Sequence, residues 1–357
     1  MKKHTCYAEI RRQLGAGFAA ALMLLACTCS SCARGTPSVD SEPAGTGTDM
    51  TSAPGEAGGA NETTGSAGSE TDPPETTEAP AAEEHSVLDG KKVIFIGNSM
   101  IYYGGVVTKG GYRGVDTGLF YRICRANGDK TTVIDCTYGN HHLYDFTGKC
   151  RTEGCDVGVG GDLLQGLDLS TFDYVFMSES GNNNSNFLTD VRNVMARFPN
   201  PDTVFVYMCH TYSYDKGHTK VTGQLEALRR LGVVIADWGH ICYDLYSGNV
   251  RNPKATVRYV KNTFVNSVSG DSHHPNPLAG YIAALTCYCA VTGRSAVGQS
   301  WGDITSVMYG SGSVSYAGYT NKYYTSGNSN FTDVFDSPED MTGIQGLIDE
   351  YVAKWKK

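Results

Sequence analysis

Five short apolar runs recur between residues 91 and 236, and neighbouring runs are separated by enough chain for a helix. The runs are 93–96, 131–136, 173–178, 203–208 and 233–236. β-Branched and aromatic residues dominate them, as is typical of strands buried on both faces of a parallel sheet. Patterning and capping signals predict helices at 116–126, 187–197, 220–231, 256–268, 277–292 and 338–355. This alternation predicts an α/β fold, a three-layer α/β/α sandwich around a five-stranded parallel sheet.

Two polar motifs lie at the two ends of this unit. Ser99 is part of the sequence Gly-Asn-Ser-Met (97–100), directly after the first run, where the carboxyl end of a strand binds ligands in open α/β sheets. Asp271 and His274 lie three residues apart, just ahead of the helix that Pro277 begins. That spacing lets the carboxylate accept a hydrogen bond from one imidazole nitrogen while the other nitrogen faces a serine.

In this order, the two motifs resemble the SGNH/GDSL hydrolase family, over about residues 91–295. In that family the nucleophilic serine lies in a Gly-Asp-Ser motif after the first strand, and an Asp-x-x-His pair lies near the end. The resemblance implies the flavodoxin-like strand order 2-1-3-4-5. It also implies that Ser99 is the nucleophile, that His274 is its base and that Asp271 orients the imidazole. His274 is selected over His273 because the family counts three residues from the aspartate to the histidine.

The same resemblance implies three hydrogen-bond donors for the oxyanion of an ester-hydrolysis intermediate. They are the backbone N–H groups of Ser99 and Gly139 and the side chain of Asn183. Asn183 is chosen because the family's Gly-x-Asn-Asp pattern aligns with residues 181–184. The last residue of that pattern is Asn here, and Glu179 with Ser180 stands nearer the strand end, so either this pair or Asn182 is the alternative. Asn98 replaces the motif's Asp, which is not a catalytic group, and an Asn can form the local turn hydrogen bonds.

Residues 1–27 have the layout of a secretory signal peptide, with basic residues ahead of the apolar run 18–26. The run is short for a membrane span. It ends in Leu-Leu-Ala-Cys, which resembles a bacterial lipobox with Cys27 as the lipidated residue, although Leu25 is not the usual small residue there. Lipidation would place the protein on the extracytoplasmic face of the cell membrane. The alternative is simple cleavage and secretion.

Residues 28–88 are predicted to form a disordered linker, and residues 89–357 the hydrolase-like domain. The linker is rich in Gly, Ser, Thr, Pro, Ala and acidic residues and has almost no large apolar residues, so it cannot form a core. Residues 33–90 carry twelve acidic residues and one basic residue, while the whole chain has a net charge of −8. Residues 91–357 are therefore neutral. This predicts no nucleic-acid partner, and contact with the membrane through the lipid anchor alone.

Eight cysteines follow Cys32. Cys150 and Cys155 flank a glycine-containing loop and are the best candidates for a local disulfide in an exported protein. Cysteines in the apolar strands and helices are predicted to be free, buried thiols. No two of the eight are spaced as Cys-x-x-Cys, and the adjacent His141 and His142 point different ways on an extended chain. The sequence therefore predicts neither a metal site nor a cofactor.

Taken together, these features predict a surface-anchored serine esterase that removes acetyl or other acyl groups from a carbohydrate. The substrate would be a small-molecule or polysaccharide ester, a choice based on the extracellular address and on aromatic residues such as Tyr102 and Tyr103. One alternative is a lipid esterase or thioesterase of the same fold, which would need an apolar acyl groove. Another is a non-catalytic carbohydrate-binding lipoprotein, which the altered motifs favour. The sequence does not specify an oligomeric state.

Overall fold

The computed structural model describes residues 86–107, 115–155, 157–179, 185–265, 273–302 and 330–356. All of them belong to one unit, Glu78–Lys357. The predicted signal peptide, Cys27 and nearly all of the predicted linker lie outside the described residues. So do two of the predicted site residues, Asp271 and Asn183.

The predicted sheet is present. Its five parallel strands have the order β2-β1-β3-β4-β5, as predicted. The strands are β1 Lys92–Gly97, β2 Thr132–Thr137, β3 Tyr174–Met177, β4 Val204–Met208 and β5 Val234–Ala236. Strand β1 lies next to the switch point of the order, between β2 and β3, so its carboxyl end opens into the crevice where such sheets bind ligands.

Nine α-helices occur among the described residues. They are α1 Ser99–Tyr102, α2 Leu119–Ala126, α3 Phe187–Met195, α4 Thr211–Arg230, α5 Trp238–Ser247, α6 Lys261–Phe264, α7 Pro277–Thr292, α8 Phe331–Phe335 and α9 Pro338–Lys356. Short 3₁₀ turns at Leu143–Phe146 and Leu169–Thr171 interrupt the long connection between β2 and β3. None of the helices that the structure describes is both long enough and apolar enough to span a bilayer.

The helices cover both faces of the sheet and make the three-layer sandwich. On one face, side chains of β1 such as Phe95 pack with α2, α5, α7 and α9 in one apolar cluster. On the other face, the alternate side chains Ile94 and Ile96 pack with α3 and α4 in a second cluster. Because β1 is buried on both faces, its run of apolar residues has no polar alternation.

The structure differs from the sequence-based prediction at three helices. Helix α4 begins at Thr211, well before residue 220, because His210 caps it and Gly217 has non-helical backbone angles that interrupt its pattern. Helix α5 was not predicted, since seven of its ten residues are buried and little amphipathic period remains in its sequence. Only Lys261–Phe264 is helical within the described part of 256–268, and Thr256 instead donates its backbone N–H to Asp340.

The capping predictions are confirmed at two helices. The Asn276 side chain accepts a hydrogen bond from the backbone N–H of Ala279 at 3.1 Å, and Pro277 is the first residue of α7. The Ser337 hydroxyl likewise accepts from the backbone N–H of Asp340, also at 3.1 Å, at the start of α9. The predicted Cys150–Cys155 disulfide is also present.

A contact between two glycines sets the position of α7. A Cβ atom on Gly280 would lie 1.7 Å from the carbonyl oxygen of Gly104, and a Cβ atom on Gly104 would lie 2.6 Å from the Cα of Gly280. The backbones therefore touch directly, and no side chain fits between them. Gly104 lies just after α1, so this contact joins α7 to the segment that carries Ser99.

We expect Gly280→Ala to destabilise the protein by about 1–3 kcal/mol or more, because the added methyl group forces apart two packed backbones. Gly346→Ala is the matched control, since Gly346 also lies within a helix and a Cβ atom there meets nothing within 4 Å. That substitution should stabilise by up to about 1 kcal/mol, the difference in helix propensity between glycine and alanine. Urea unfolding of both variants measures the two changes. Equal effects of the two substitutions would contradict the close contact.

Candidate active site

The turn after β1 places Ser99 at the carboxyl edge of the sheet. Gly97, the last residue of the strand, has a φ of +145°, and a Cβ atom there would lie 2.6 Å from the carbonyl oxygen of Ser178 on the neighbouring strand's end. A side chain is therefore excluded at this position. The chain turns sharply, and Ser99 becomes the first residue of α1, half-buried, with its hydroxyl at the rim of the crevice.

Asn98 stabilises this turn with two side-chain hydrogen bonds. Its side chain is fully buried, and its Oδ1 accepts a hydrogen bond from the backbone N–H of Met100 at 3.0 Å. Its Nδ2 donates to the carbonyl oxygen of His141 at 3.0 Å. A carboxylate at this position would set an acceptor against that carbonyl oxygen. The amide therefore joins the turn after β1 to the loop after β2 in a way that a carboxylate does not.

The structure brings Ser99 and His274 together. His274 Nε2 lies 2.8 Å from Ser99 Oγ, within hydrogen-bond distance, although the two residues are 175 positions apart in the chain. The His274 imidazole stacks on the ring of Tyr103, with 3.8 Å between ring centroids and 15° between planes. The next residue, Pro275, forms an isolated bridge with Val265, which fixes the backbone beside the imidazole.

His273, the neighbour that the sequence analysis set aside, lies in the same crevice. Its ring packs against that of His274, with 4.2 Å between centroids. Asp271, the residue predicted to orient His274, lies outside the described residues.

A pocket of about 490 Å³ opens above Ser99. Its lining brings together the predicted residues Ser99, Gly139 and His274 with other polar and aromatic side chains, namely those of His142, His273, Tyr102 and Tyr103. Gly139 comes two residues after β2, and a Cβ atom on it would lie 2.9 Å from the hydroxyl of Tyr102. The absence of a side chain at Gly139 thus leaves room for Tyr102 beside the pocket.

A histidine–glutamate pair forms the wall of the pocket that faces β3. Glu179, at the end of β3, is fully buried, and its Oε1 lies 2.5 Å from His142 Nδ1. Its Oε2 accepts a hydrogen bond from the backbone N–H of Leu143 at 2.9 Å. The His142 side chain is one-third exposed, and the residue lines the pocket.

This pairing changes the protonation of His142. The hydrogen bond to Glu179 raises the pKa of His142, and it outweighs burial, which acts in the opposite direction; the charges of Glu179, Asp145 and Asp190 add to the rise. The imidazolium form therefore persists to higher pH than in a free histidine, whose pKa is about 6.5. His142 thus combines a raised pKa with a place in the lining of the pocket.

His210 has the opposite environment. It is fully buried at the start of α4, and burial lowers its pKa to about 4. Its Nδ1 accepts from the backbone N–H of Ser213 at 3.3 Å, so its Nε2 donates to the carbonyl oxygen of Glu179 at 2.5 Å. A neutral histidine at the start of α4 thereby fixes the backbone at the end of β3.

The sequence analysis named His142 only when it set aside a metal pair with His141, and Glu179 only as an alternative oxyanion residue. Their pairing spans 37 residues, so no local motif indicates it. The one available signal is position, since each residue follows the end of a strand that neighbours β1. Asn182 and Asn183 lie outside the described residues.

Two groups of potential metal ligands occur among the described residues, and neither contains Ser99 or His274. The first consists of His141 with Cys150 and Cys155, but these cysteines are joined as a disulfide. The second is formed by His218, His240 and Asp244 on α4 and α5. The chemistry available at the pocket itself is that of a serine, histidines and backbone donors.

A scan against protein-family models and a search of curated proteins each found no match. Solved structures with a similar fold include a catalytic mutant of an acetylxylan esterase from Geobacillus stearothermophilus, with 11% identity, a TM-score of 0.38, and coverage of 58% of this chain and 96% of that one. Another is a putative GDSL-like lipase from Parabacteroides merdae, with 12% identity, a TM-score of 0.36, and coverage of 58% and 98%. A third is an active-site mutant of a family two carbohydrate esterase from Clostridium thermocellum, with 14% identity, a TM-score of 0.32, and coverage of 56% and 63%.

Proposed function

We propose that this protein is a serine esterase in which Ser99 is the nucleophile and His274 is the general base. The observation that carries the proposal is the 2.8 Å approach of His274 Nε2 to Ser99 Oγ, inside a pocket at the carboxyl edge of the sheet. A serine hydroxyl is a weak nucleophile and needs an adjacent base. Asp271 is proposed to accept a hydrogen bond from His274 Nδ1, which would hold the imidazole in the right tautomer.

The reaction follows from these positions. Ser99 Oγ attacks the ester carbonyl carbon as its proton moves to His274 Nε2. The tetrahedral intermediate collapses to an acyl-serine, and His274 returns the proton to the departing alcohol. Water then attacks the acyl group, His274 takes a proton from it, and the carboxylic acid leaves as the proton returns to Ser99. The backbone N–H groups of Ser99 and Gly139 and the side chain of Asn183 are proposed to stabilise the oxyanion.

The pocket lining favours a small acyl group on a polar alcohol. Among the described residues that line it, tyrosines, histidines, a serine and an asparagine predominate, and Met100 is the one aliphatic side chain. A long acyl chain would need an apolar groove of a kind that this lining does not offer. We therefore propose acetylated carbohydrate as the substrate class. Sugar stacking on Tyr102 is not part of this proposal, because its side chain is only 7% exposed.

The cellular location of the protein is proposed from the sequence alone. Cys27 is the proposed lipidated residue, and the segment 28–88 would tether the domain outside the cell membrane.

We expect Cys27→Ser to release the protein from the membrane fraction while esterase activity is retained. Fractionation of cells that express each form measures this. Unchanged membrane association of Cys27→Ser would contradict the lipid anchor.

We expect Ser99→Ala to reduce the rate of p-nitrophenyl acetate hydrolysis to near background. His274→Ala should reduce this rate nearly as much. The double variant should be little worse than either single variant, since the two residues act as one unit. Wild-type protein should be labelled by a fluorophosphonate probe, and Ser99→Ala should not. Steady-state kinetics and gel-based labelling measure these effects.

His273→Ala is the matched control, because it removes a neighbouring imidazole from the same pocket without touching Ser99. It should keep most of the turnover. Full hydrolysis by Ser99→Ala would refute the serine mechanism. If wild-type protein binds acetylated sugars but neither reacts with the probe nor hydrolyses any ester, the non-catalytic carbohydrate-binding alternative is correct.

We expect Asn183→Ala to lower turnover by on the order of 100- to 1,000-fold with a modest change in KM, as is typical when one oxyanion donor is removed. Asn182→Ala should lower turnover far less than Asn183→Ala. It is therefore the control for the alignment of this motif. His142, which lines the pocket, is the competing donor in this test. If Asn183→Ala leaves turnover unchanged and His142→Gln lowers it by the factor expected for Asn183→Ala, the third donor is His142.

The raised pKa of His142 gives this alternative a distinct signature. His142 carries its charge below the raised pKa and loses it as the pH increases through that value. If the imidazolium stabilises the oxyanion, turnover falls on the alkaline side, and His142→Gln removes that decline. A pH profile of turnover that is the same for wild type and His142→Gln would show that the charge of His142 takes no part.

A further inference from the structure

Three side chains with metal-binding atoms converge between α4 and α5, outside the pocket of Ser99. His218 Nε2 lies 2.9 Å from His240 Nε2, and His240 Nε2 lies 3.1 Å from Asp244 Oδ2. All three atoms lie within 4.8 Å of one another. Two ligands at about 2.0–2.1 Å from a tetrahedral zinc ion are roughly 3.3 Å apart, so these separations are close to those of a ligand set.

The local backbone explains how the three residues meet. His240 and Asp244 are four positions apart on α5 and therefore lie on the same face of that helix. His218 directly follows Gly217, where α4 departs from helical backbone angles and divides into two segments. His218 thus begins the second segment of α4, which packs against α5.

One nitrogen of this cluster, His240 Nε2, faces two polar neighbours at once. Nε2 of His240 has two polar neighbours, His218 Nε2 and Asp244 Oδ2, but an imidazole nitrogen carries at most one proton. A cation placed among the three atoms accepts a lone pair from each of them. Asp244 keeps its other contacts in that arrangement, because the Tyr351 hydroxyl donates to Oδ2 and the Asn249 amide donates to Oδ1.

The residue behind His240, Asp237, also fits a metal site. Asp237 Oδ2 lies 3.3 Å from His240 Nδ1, which is the carboxylate–histidine arrangement that orients metal-bound imidazoles. The hydroxyl of Tyr214 and the indole N–H of Trp355 donate to the same oxygen of Asp237 and hold it in place. Among the described residues, the ion-pair partner of both carboxylates is His240, and neither of them pairs with a lysine or arginine. A metal ion would take the place of the proton on His240 Nε2 and supply the positive charge itself.

We propose that His218, His240 and Asp244 bind a divalent metal ion such as zinc, and that this ion links α4 to α5. Two imidazoles and one carboxylate suit zinc and its neighbours in the first transition series. His218 is exposed, so the fourth coordination position opens to solvent and takes water. The site departs from the sequence-based expectation of no metal, which considered cysteine spacing and the pair His141–His142. It does not depend on the esterase proposal.

The test compares zinc binding by full-length wild type and His218→Ala after removal of metal with a chelator. His218 is exposed, so the variant should fold, which circular dichroism checks. Wild type should bind one more equivalent of zinc than His218→Ala, or bind it roughly 100-fold more tightly, since even outer-shell partners are worth about 10–100-fold. Zinc should also raise the melting temperature of wild type more than that of the variant.

Thr219→Ala is the matched control, because Thr219 is an exposed neighbour on the same helix and offers no imidazole. It should bind zinc as wild type does. Cysteines elsewhere in the chain are common to every variant and cancel in the comparison. His218→Cys should restore binding, and its cobalt form should gain a thiolate-to-cobalt charge-transfer band that the wild-type site lacks. Identical zinc stoichiometry, affinity and thermal shift in wild type and His218→Ala would overturn the proposal.

Discussion

The geometry of the site depends on one backbone contact, between Gly104 and Gly280. Ser99 and His274 reach the pocket on α1 and on the segment ahead of α7, and Gly104 and Gly280 lie within a few residues of each. Because the glycine backbones touch, the distance between α7 and the turn after α1 is set by atoms that have no rotamers to adjust. A hydrogen bond tolerates only a few tenths of an ångström in length. A rigid contact this close to both residues is what holds His274 Nε2 within reach of Ser99 Oγ.

A second constraint is the buried carboxylate of Glu179. A fully buried acid is costly unless its charge is paired and its oxygens accept hydrogen bonds. Glu179 meets this requirement with His142 and the backbone of Leu143, and its own carbonyl oxygen accepts from His210. Those partners follow β2 and β4, the strands that come before and after β3 in the chain. The Glu179 side chain therefore joins the segment after β3 to the loop after β2, and its backbone carbonyl joins the same segment to His210 at the start of α4.

The strands and the caps of α7 and α9 were predictable because each is encoded locally. A buried strand shows as an apolar run, and Asn276 ahead of Pro277 marks a helix start by its own chemistry. Helix α5 could not be predicted in this way, since it is buried almost all round and lacks the amphipathic period that identifies surface helices. The pairing of His142 with Glu179 and the cluster around His240 were also not predictable. Both depend on side chains that only the tertiary fold brings together.

Among the histidines at or near the pocket, His142, His210 and His274 have three different environments, and these differences support our choice of the proposed base. His142 is held on Glu179, and its raised pKa favours the cation, which has no lone pair to accept the serine proton. His210 is neutral, but Ser213 and the Glu179 carbonyl oxygen occupy both of its nitrogens. His274 is the one whose Nε2 meets the hydroxyl of Ser99 directly. General-base catalysis requires first of all that the base reach the proton it removes. On this geometry we propose His274, and not His142 or His210, as the base.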